Sequence, residues 1–327
     1  MELSRRSLLA AGTGLVASAM LGSPARAAQK TLRLITRVIE VDGKPATRYG
    51  AFQPSGAWGL TLDEGERFDV RLENTLNVLS GLHWHGLNPP WRQDGVPYIS
   101  GPPIAPGKFA DYDFPAQPAG TRWMHSHFGL QEQNLLAAPL IVRERSAIQS
   151  GLQEVVVLLE DFSWTRPSLI FEELRKPKPM AAMGNMTGGG TSRGGMNRPS
   201  GGGGMDLNDV TYDAFLANDR TLADPQVFDV EKGAEIRLRI INAAASSNFM
   251  IELGNVEGTV LTVDGNPVVP LKVRQFPLAI AQRVDIAVRM PADGSALPVL
   301  ARCEGLAKQA GVVLRPRFAP GLSLAID

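Results

Sequence analysis

LDEGERFDVRLEN at residues 62–74 and VEKGAEIRLRIIN at residues 230–242 decide the fold. In each, a Gly-containing turn leads into apolar residues alternating with charged ones, and an Asn closes the run. Period-two alternation bounded by turn residues is the pattern of a strand with one face on a core. The two stretches superimpose at a constant offset of 168. Gly65 falls on Gly233, Phe68 on Ile236, Val70 on Leu238, Leu72 on Ile240 and Asn74 on Asn242. Carried on without a gap, that register sets Gly86 on Gly254, His83 on Ile251 and His85 on Leu253. Asp94-Gly95 and Asp264-Gly265 follow at an offset of 170.

Working outward, other short runs alternate in the same way, such as Thr31-Leu32-Arg33-Leu34-Ile35. Val155 to Leu159 is a continuous apolar run, as expected of a strand covered on both faces. Long helical periodicity is absent. The sequence therefore predicts an all-β protein of two tandem β-sandwich domains, a first over 28–146 and a second over 150–327. The length of 327 residues agrees, because single cores stop growing at roughly 250–300 residues. Within the second domain, residues 177–206 are rich in Gly and hold Met180, Met183, Met186, Met196 and Met205. They read either as a flexible linker or as a loop whose thioethers take cuprous ion.

Residues 1–27 stand apart. Arg5 and Arg6 precede a mildly apolar stretch from Leu8 to Leu21, and Ala25-Arg26-Ala27 offers a small-x-small cleavage pattern. The apolar stretch is shorter than the roughly 20 residues a membrane span needs, so it reads as an export leader rather than an anchor. Ser4-Arg5-Arg6-Ser7-Leu8-Leu9 is similar to the twin-arginine type, which implies a periplasmic or secreted protein. The 33 Lys and Arg balance 33 Asp and Glu. That balance argues against nucleic acid or an anionic membrane surface as the main partner. A single Cys excludes an internal disulfide and any multi-thiolate zinc or iron–sulfur site.

All four histidines of the chain fall in two H-x-H pairs, His83-Trp84-His85 and His125-Ser126-His127. On a strand, residues i and i+2 share a face, so each pair presents two imidazoles together while Trp84 and Ser126 turn away. Two such pairs at neighbouring sheet edges would surround one volume with four imidazoles. Neutral imidazole suits copper, zinc, iron or nickel. A cupin would place a Glu shortly after the first pair, where Gly86-Leu87-Asn88 stands instead. Four-His zinc binding remains open on ligand count.

GLHWHGL at 81–87, WRQDGVPYISGPPIAPG at 91–107 and TRWMHSHFGLQ at 121–131 resemble the first cupredoxin domain of the multicopper oxidases, the family of laccases and bacterial copper-resistance oxidases. DVTYDAFLAND and VDGNPVVP resemble the second. The resemblance implies Greek-key cupredoxin domains. It implies His83 as a ligand of the type-two copper, with His85, His125 and His127 as ligands of the type-three pair. It also implies oxidation of cuprous ion or phenols coupled to reduction of dioxygen. Asp94 matches the family's acidic residue that holds water near the type-two copper and helps to move protons. The residues alone also allow a plain turn former before Gly95.

The family's third domain carries the remaining cluster histidines and the type-one copper site, a thiolate with two imidazoles. Neither is expected here. Cys303 has no neighbouring His and reads as a small residue on a strand of the second domain. The sequence is thus expected to carry half of a trinuclear cluster and no type-one copper. It would be a truncated oxidase, a subunit completed by a second chain, or a periplasmic copper-binding protein without oxidase turnover. A metal-free structural relative is a further reading, and the retained histidines count against it.

Overall fold

The structure is a computed structural model that describes residues 28–176 and 208–317. Residues 1–27, read above as a leader, residues 177–207 with the Gly/Met-rich segment, and residues 318–327 lie outside the described residues. The first sandwich contains β1 (Lys30–Val41), β2 (Lys44–Phe52), β3 (Leu60–Asp63), β4 (Arg67–Asn74), β5 (His83–His85), β6 (Phe109–Pro115), β7 (Gly120–His125) and β8 (Ala137–Arg143). Its sheets run β2-β1-β4-β6 and β3-β8-β7-β5. A short helix, α1 (Arg145–Ser150), leads into the second sandwich.

The second sandwich begins with β9 (Gln153–Phe162), α2 (Pro167–Leu174), β10 (Ala214–Ala217), β11 (Val227–Val230), β12 (Glu235–Asn242) and β13 (Phe249–Glu252). The hairpin β14 (Gly258–Val263) and β15 (Asn266–Val273) follows, then β16 (Gln275–Leu278), β17 (Arg283–Arg289), β18 (Leu297–Cys303) and β19 (Gln309–Pro316). These form sheets of order β10-β9-β12-β17-β14-β15 and β11-β19-β18-β13-β16.

The repeat is a repeat of topology. Parallel β1–β4 recurs as parallel β9–β12, and parallel β3–β8 recurs as parallel β11–β19. The paired Asn residues show why the motif recurs. Asn74 Nδ2 donates to Val78 O and Ile104 O at 2.8 Å, and its Oδ1 accepts from Leu76 N. Asn242 does the same with Ser247 O, Leu278 O and Ala244 N. Each amide is buried and satisfies three backbone groups at the end of its strand, a task no apolar residue can do.

β4 behaves as its alternation predicts. Phe68, Val70 and Leu72 are fully buried in the first core, while Arg67 and Arg71 pair with Asp113 and Asp111 of β6 on the outer face. β12 departs from it. Ile236, Leu238 and Ile240 enter the second core, but Arg237 and Arg239 are buried as well. The outer face of β9, β12 and β17 does not meet water. It packs on the outer face of β7 and β8. Trp123, Ala137 and Ile141 from the first sandwich meet Leu158, Ile241 and Ala243 from the second. β9 is accordingly covered on both faces, as its apolar run indicated.

Charge within this layer is paired. Arg239, at 0% exposure, donates to Thr121, Asp285, Glu144 and Glu154. Arg237 bonds Glu144 and Asp285. Carboxylates face both guanidinium groups, as a buried charge requires, although the Nε of each is buried without a hydrogen-bond partner.

One part of the gapless register fails. In β5 Trp84 points into the core, and in β13 the core residues are Phe249 and Ile251. Asn74 Nδ2 reaches Val78 O, four residues on, whereas Asn242 Nδ2 reaches Ser247 O, five residues on. The bridge of Ser80 with Ile104 recurs as Phe249 with Leu278, and the bond from Leu87 N to Trp84 O recurs as Val256 N to Leu253 O. Trp84 therefore matches Leu253, which is buried in the second core. The counterparts of His83 and His85 are Glu252 and Gly254 rather than Ile251 and Leu253. The second copy is one residue longer between its Asn and this strand.

Candidate metal centre

β5 and β7 pair antiparallel with His83 opposite His125 and His85 opposite Trp123. Inward-facing Trp84 and Met124 are fully buried, and Trp84 packs on Phe68 at 4.7 Å and Tyr112 at 4.9 Å between ring centroids. Strand alternation then sends His83, His85, Trp123 and His125 to the other face, at the end of the layer between the sandwiches.

The two H-x-H pairs differ in one respect from expectation. His83 and His85 sit on β5, but β7 ends at His125, so His127 lies beyond the strand and is exposed. Between the latter two, Ser126 does turn inward and is buried. The chain leaving His125 is fastened by Gln131. Its Oε1 accepts from Ser80 Oγ at 2.7 Å and Ser126 Oγ at 2.9 Å, and its Nε2 donates to Leu79 O at 2.8 Å.

The imidazoles converge. Ring centroids of His83 lie 5.7 Å from His85, 5.6 Å from His125 and 5.0 Å from His127. One nitrogen from each of His83, His85 and His125 falls within 4.8 Å of the others. His85 Nδ1 and His125 Nε2 are 3.3 Å apart. His127 is nearby, 4.7 Å from His125 between centroids, but outside that tighter group.

The remaining nitrogens face carboxylates. His83 Nδ1 lies 3.1 Å from Asp94 O and 3.2 Å from Asp94 Oδ1. Glu132 Oε2 lies 3.2 Å from His125 Nδ1. Gly95 makes the first contact possible. Its φ of +79° and a place that would set a Cβ 1.7 Å from Leu82 O both exclude a side chain, so the Asp94 loop closes on the residue before His83. Trp84 Nε1 donating to Gln93 O holds the same loop.

Asp264 proves not to be the counterpart of Asp94. Asp264-Gly265 is the two-residue turn of the β14–β15 hairpin, with φ of +52° and +71°, and the first sandwich has no such hairpin. Its carboxylate accepts from Arg283 N and its carbonyl from Arg122. Asp94, at φ −74°, ends a 3-10 turn and faces an imidazole.

Electrostatics favour the form of imidazole that binds metals. Burial lowers the His85 pKa to about 3, helped by the Arg283 guanidinium and the other imidazoles. Burial also lowers His83, against the opposing pull of Asp94, and lowers His127, with His125 adding to the effect. Neutral, converging imidazoles without a thiolate suit copper or zinc. Cys303 lies elsewhere, fully buried in the second core with its thiol pushed up to about 11 by burial.

Trp123, Glu132 and Gln131 carry this geometry, and nothing in the spacing of the histidines singled them out. Trp123 is stacked on His125 at 4.1 Å and tilted against His85 at 5.0 Å.

Two β-sandwiches with an imidazole cluster at the edge of the first define a cupredoxin-type metalloprotein. Two family models, both described as multicopper oxidase, match residues 57–147 and 154–309. The chain belongs to the multicopper oxidase family. It is 32% identical over 270 residues to multicopper oxidase MmcO of Mycobacterium tuberculosis, covering 78% of this chain and 52% of that one. Copper resistance protein A of Escherichia coli is 30% identical over 289 residues, covering 82% and 46%. The crystal structure of a multi-copper oxidase from Pseudomonas thermotolerans superimposes with a TM-score of 0.66 at 25% identity, over 91% of this chain and 66% of that one. The chain spans about half the length of the curated relatives it matches. Among the described residues, no helix is long and apolar enough to cross a membrane.

Proposed function

We propose that His83, His85, His125 and His127 bind copper as half of a trinuclear oxidase cluster, His83 on a type-two ion and the other three on a type-three pair. The observation that carries this reading is the 3.3 Å approach of His85 Nδ1 to His125 Nε2, with a His83 nitrogen within 4.8 Å. Unmetallated side chains gain little from that convergence, whereas a metal ion requires it. Bound copper would supply the electron transfer by which cuprous ion or a phenol is oxidised and dioxygen reduced.

The residues of this chain would divide the remaining work. Asp94 holds a proton or a water beside His83 Nδ1, the carboxylate role its 3.2 Å approach supports. Arg283 and Trp123 keep the inner side of the cluster dry, and exposed His127 marks the open side. The other imidazoles of a complete cluster, and a type-one copper, would come from outside the two sandwiches. They would belong to a further domain or a second chain. The division into units at 28–146 and 150–327, and export to the periplasm or exterior by the twin-arginine-type leader, belong to the same reading.

The test is copper stoichiometry. The wild-type chain is expected to retain copper through desalting, and the double variant His83→Ala with His125→Ala to lose it. Equal copper in both would overturn the site. Oxidation of a phenolic dye by the purified chain alone would overturn the claim that its cluster is half complete.

A further inference from the structure

We infer that Glu132 is a positioning residue for His125, one that places the imidazole proton on Nδ1 and so leaves Nε2 to take the metal. The inference rests on the reading of His125 as a copper ligand. A neutral imidazole carries one proton, and its neighbours decide which nitrogen holds it. In His125 the choice is unusually consequential. Nε2 lies 3.3 Å from His85 Nδ1, which is itself a potential acceptor. A proton on His125 Nε2 would be donated to His85 Nδ1, and the two converging atoms would then satisfy each other. With the proton on Nδ1, His125 Nε2 keeps its lone pair for copper, and His85 Nδ1 keeps its own when the His85 proton sits on Nε2.

Among the described residues, the acceptor facing Nδ1 is Glu132 Oε2 at 3.2 Å. Nδ1 is buried and has no hydrogen-bond partner in place, so nothing else there competes for the proton. The Glu132 contact lies off the N–H line, and its carboxylate, 23% exposed, must turn to complete the bond. The stack of Trp123 on His125 does not settle the matter, because a flipped ring stacks equally well.

Glu132 is held in place by local structure. It begins a 3-10 turn, Glu132–Asn134, that follows buried Gln131 with its three side-chain hydrogen bonds. Leu135, at φ +61°, closes the turn by donating to Glu132 O at 2.8 Å. Asp94 stands in the same relation to His83, at the end of the other 3-10 turn. Each of the two opposed imidazoles thus has one carboxylate behind it. A carboxylate behind a ligating histidine commonly fixes its tautomer, and its loss weakens metal binding by roughly 10–100-fold.

The test uses the full chain with its histidine ring nitrogens isotopically labelled. NMR of the metal-free protein reads the tautomer, and competition with a chelator reads copper affinity. Two variants are compared, each checked for an intact amide spectrum. Glu132→Gln keeps an acceptor oxygen, and Glu132→Leu removes it. The wild type and Glu132→Gln are expected to hold His125 with its proton on Nδ1 and to bind copper within a few-fold of each other. Glu132→Leu is expected to shift the proton toward Nε2 and to bind copper about tenfold or more weakly. A wild-type His125 protonated on Nε2, or a tautomer and affinity unchanged in Glu132→Leu, would overturn the inference. A wild type that binds no copper while its tautomer still responds to Glu132→Leu overturns the ligand reading instead.

Discussion

Trp123 lies flat against His125, the ring centroids 4.1 Å apart and the planes 10° from parallel. The indole is 1% exposed, and it packs with Leu158, Ile241 and Ala243 of the second sandwich. The orientation of a candidate ligand therefore depends on the domain that carries no histidine. Removing the ring opens a cavity against both imidazoles. Trp123→Leu is expected to cost about 2–4 kcal/mol in denaturant unfolding and to weaken copper binding with it. Trp123→Phe keeps a stacking ring and gives up only an Nε1–H that is buried without a partner. It is expected to retain most of both.

Much of this was legible in the sequence, and the parts that were not share a cause. The offset of 168 located β4 and β12 because a buried Asn at the end of each strand repeats one hydrogen-bonding task. The two H-x-H pairs located the imidazoles because i and i+2 share a face. Local periodicity cannot say what that face meets. Arg237 and Arg239 alternate like solvated residues, yet the other sandwich covers them. Trp123 reads as an ordinary core residue, yet it points away from the first core. Glu132 is within reach of His125 only because a short turn folds back, a tertiary event with no periodic signature. The gapless register failed at Ile251 for a related reason, since one residue gained between strands exchanges their two faces.

The same covered layer predicts a large effect at Asp285. Its carboxylate is fully buried and accepts from Arg239, Arg237 and Thr121. Asp285→Asn keeps the shape but leaves two buried guanidinium groups short of a counter-charge. Breaking a buried pair from one side costs roughly 3–5 kcal/mol. Unfolding by denaturant should show that loss, and limited proteolysis should cut faster around residues 144–153, where the sandwiches join. An Asn variant as stable as the wild type would show that Glu144 and Glu154 suffice.

Glu160 predicts a dependence on pH. It lies on β9, 1% exposed, with neither carboxylate oxygen hydrogen-bonded. Burial raises its pKa well above the ordinary value of 4.5, and Asp219 adds to the rise. The folded chain therefore keeps this proton where the unfolded chain has released it. The group's contribution to stability is full below about pH 4.5 and falls as pH rises toward the folded-state pKa. Glu160→Gln removes the titration. Its melting temperature should exceed that of the wild type at pH 7, by roughly 2–4 °C for each kcal/mol gained, and the gap should narrow toward pH 4.5. A gap that widens on acidification would contradict the sign.

Two Asp-Gly turns that look alike in sequence give the last comparison. A methyl at Gly95 would meet the backbone oxygen of Leu82 at 1.7 Å, and neither partner can move without shifting β5 or the Asp94 loop. At Gly265 a methyl would meet the Arg122 guanidinium at 2.6 Å, the end of a side chain rather than backbone, though one held by hydrogen bonds to Pro118, Ala119, Asp264 and Gly265 carbonyls. Both glycines also have positive φ, +79° and +71°. Backbone strain should therefore be similar in the two Ala variants, about 1–3 kcal/mol each. Only Gly95→Ala adds a backbone overlap, worth about 1–3 kcal/mol more, and only there is the carboxylate behind His83 displaced. Denaturant unfolding should rank Gly95→Ala below Gly265→Ala. Copper titration should show weakened binding in Gly95→Ala alone, and a matching loss in Asp94→Ala with its glycine intact. If Gly95→Ala unfolds easily yet binds copper as tightly as Gly265→Ala, the turn serves the fold and Asp94 does nothing for the metal.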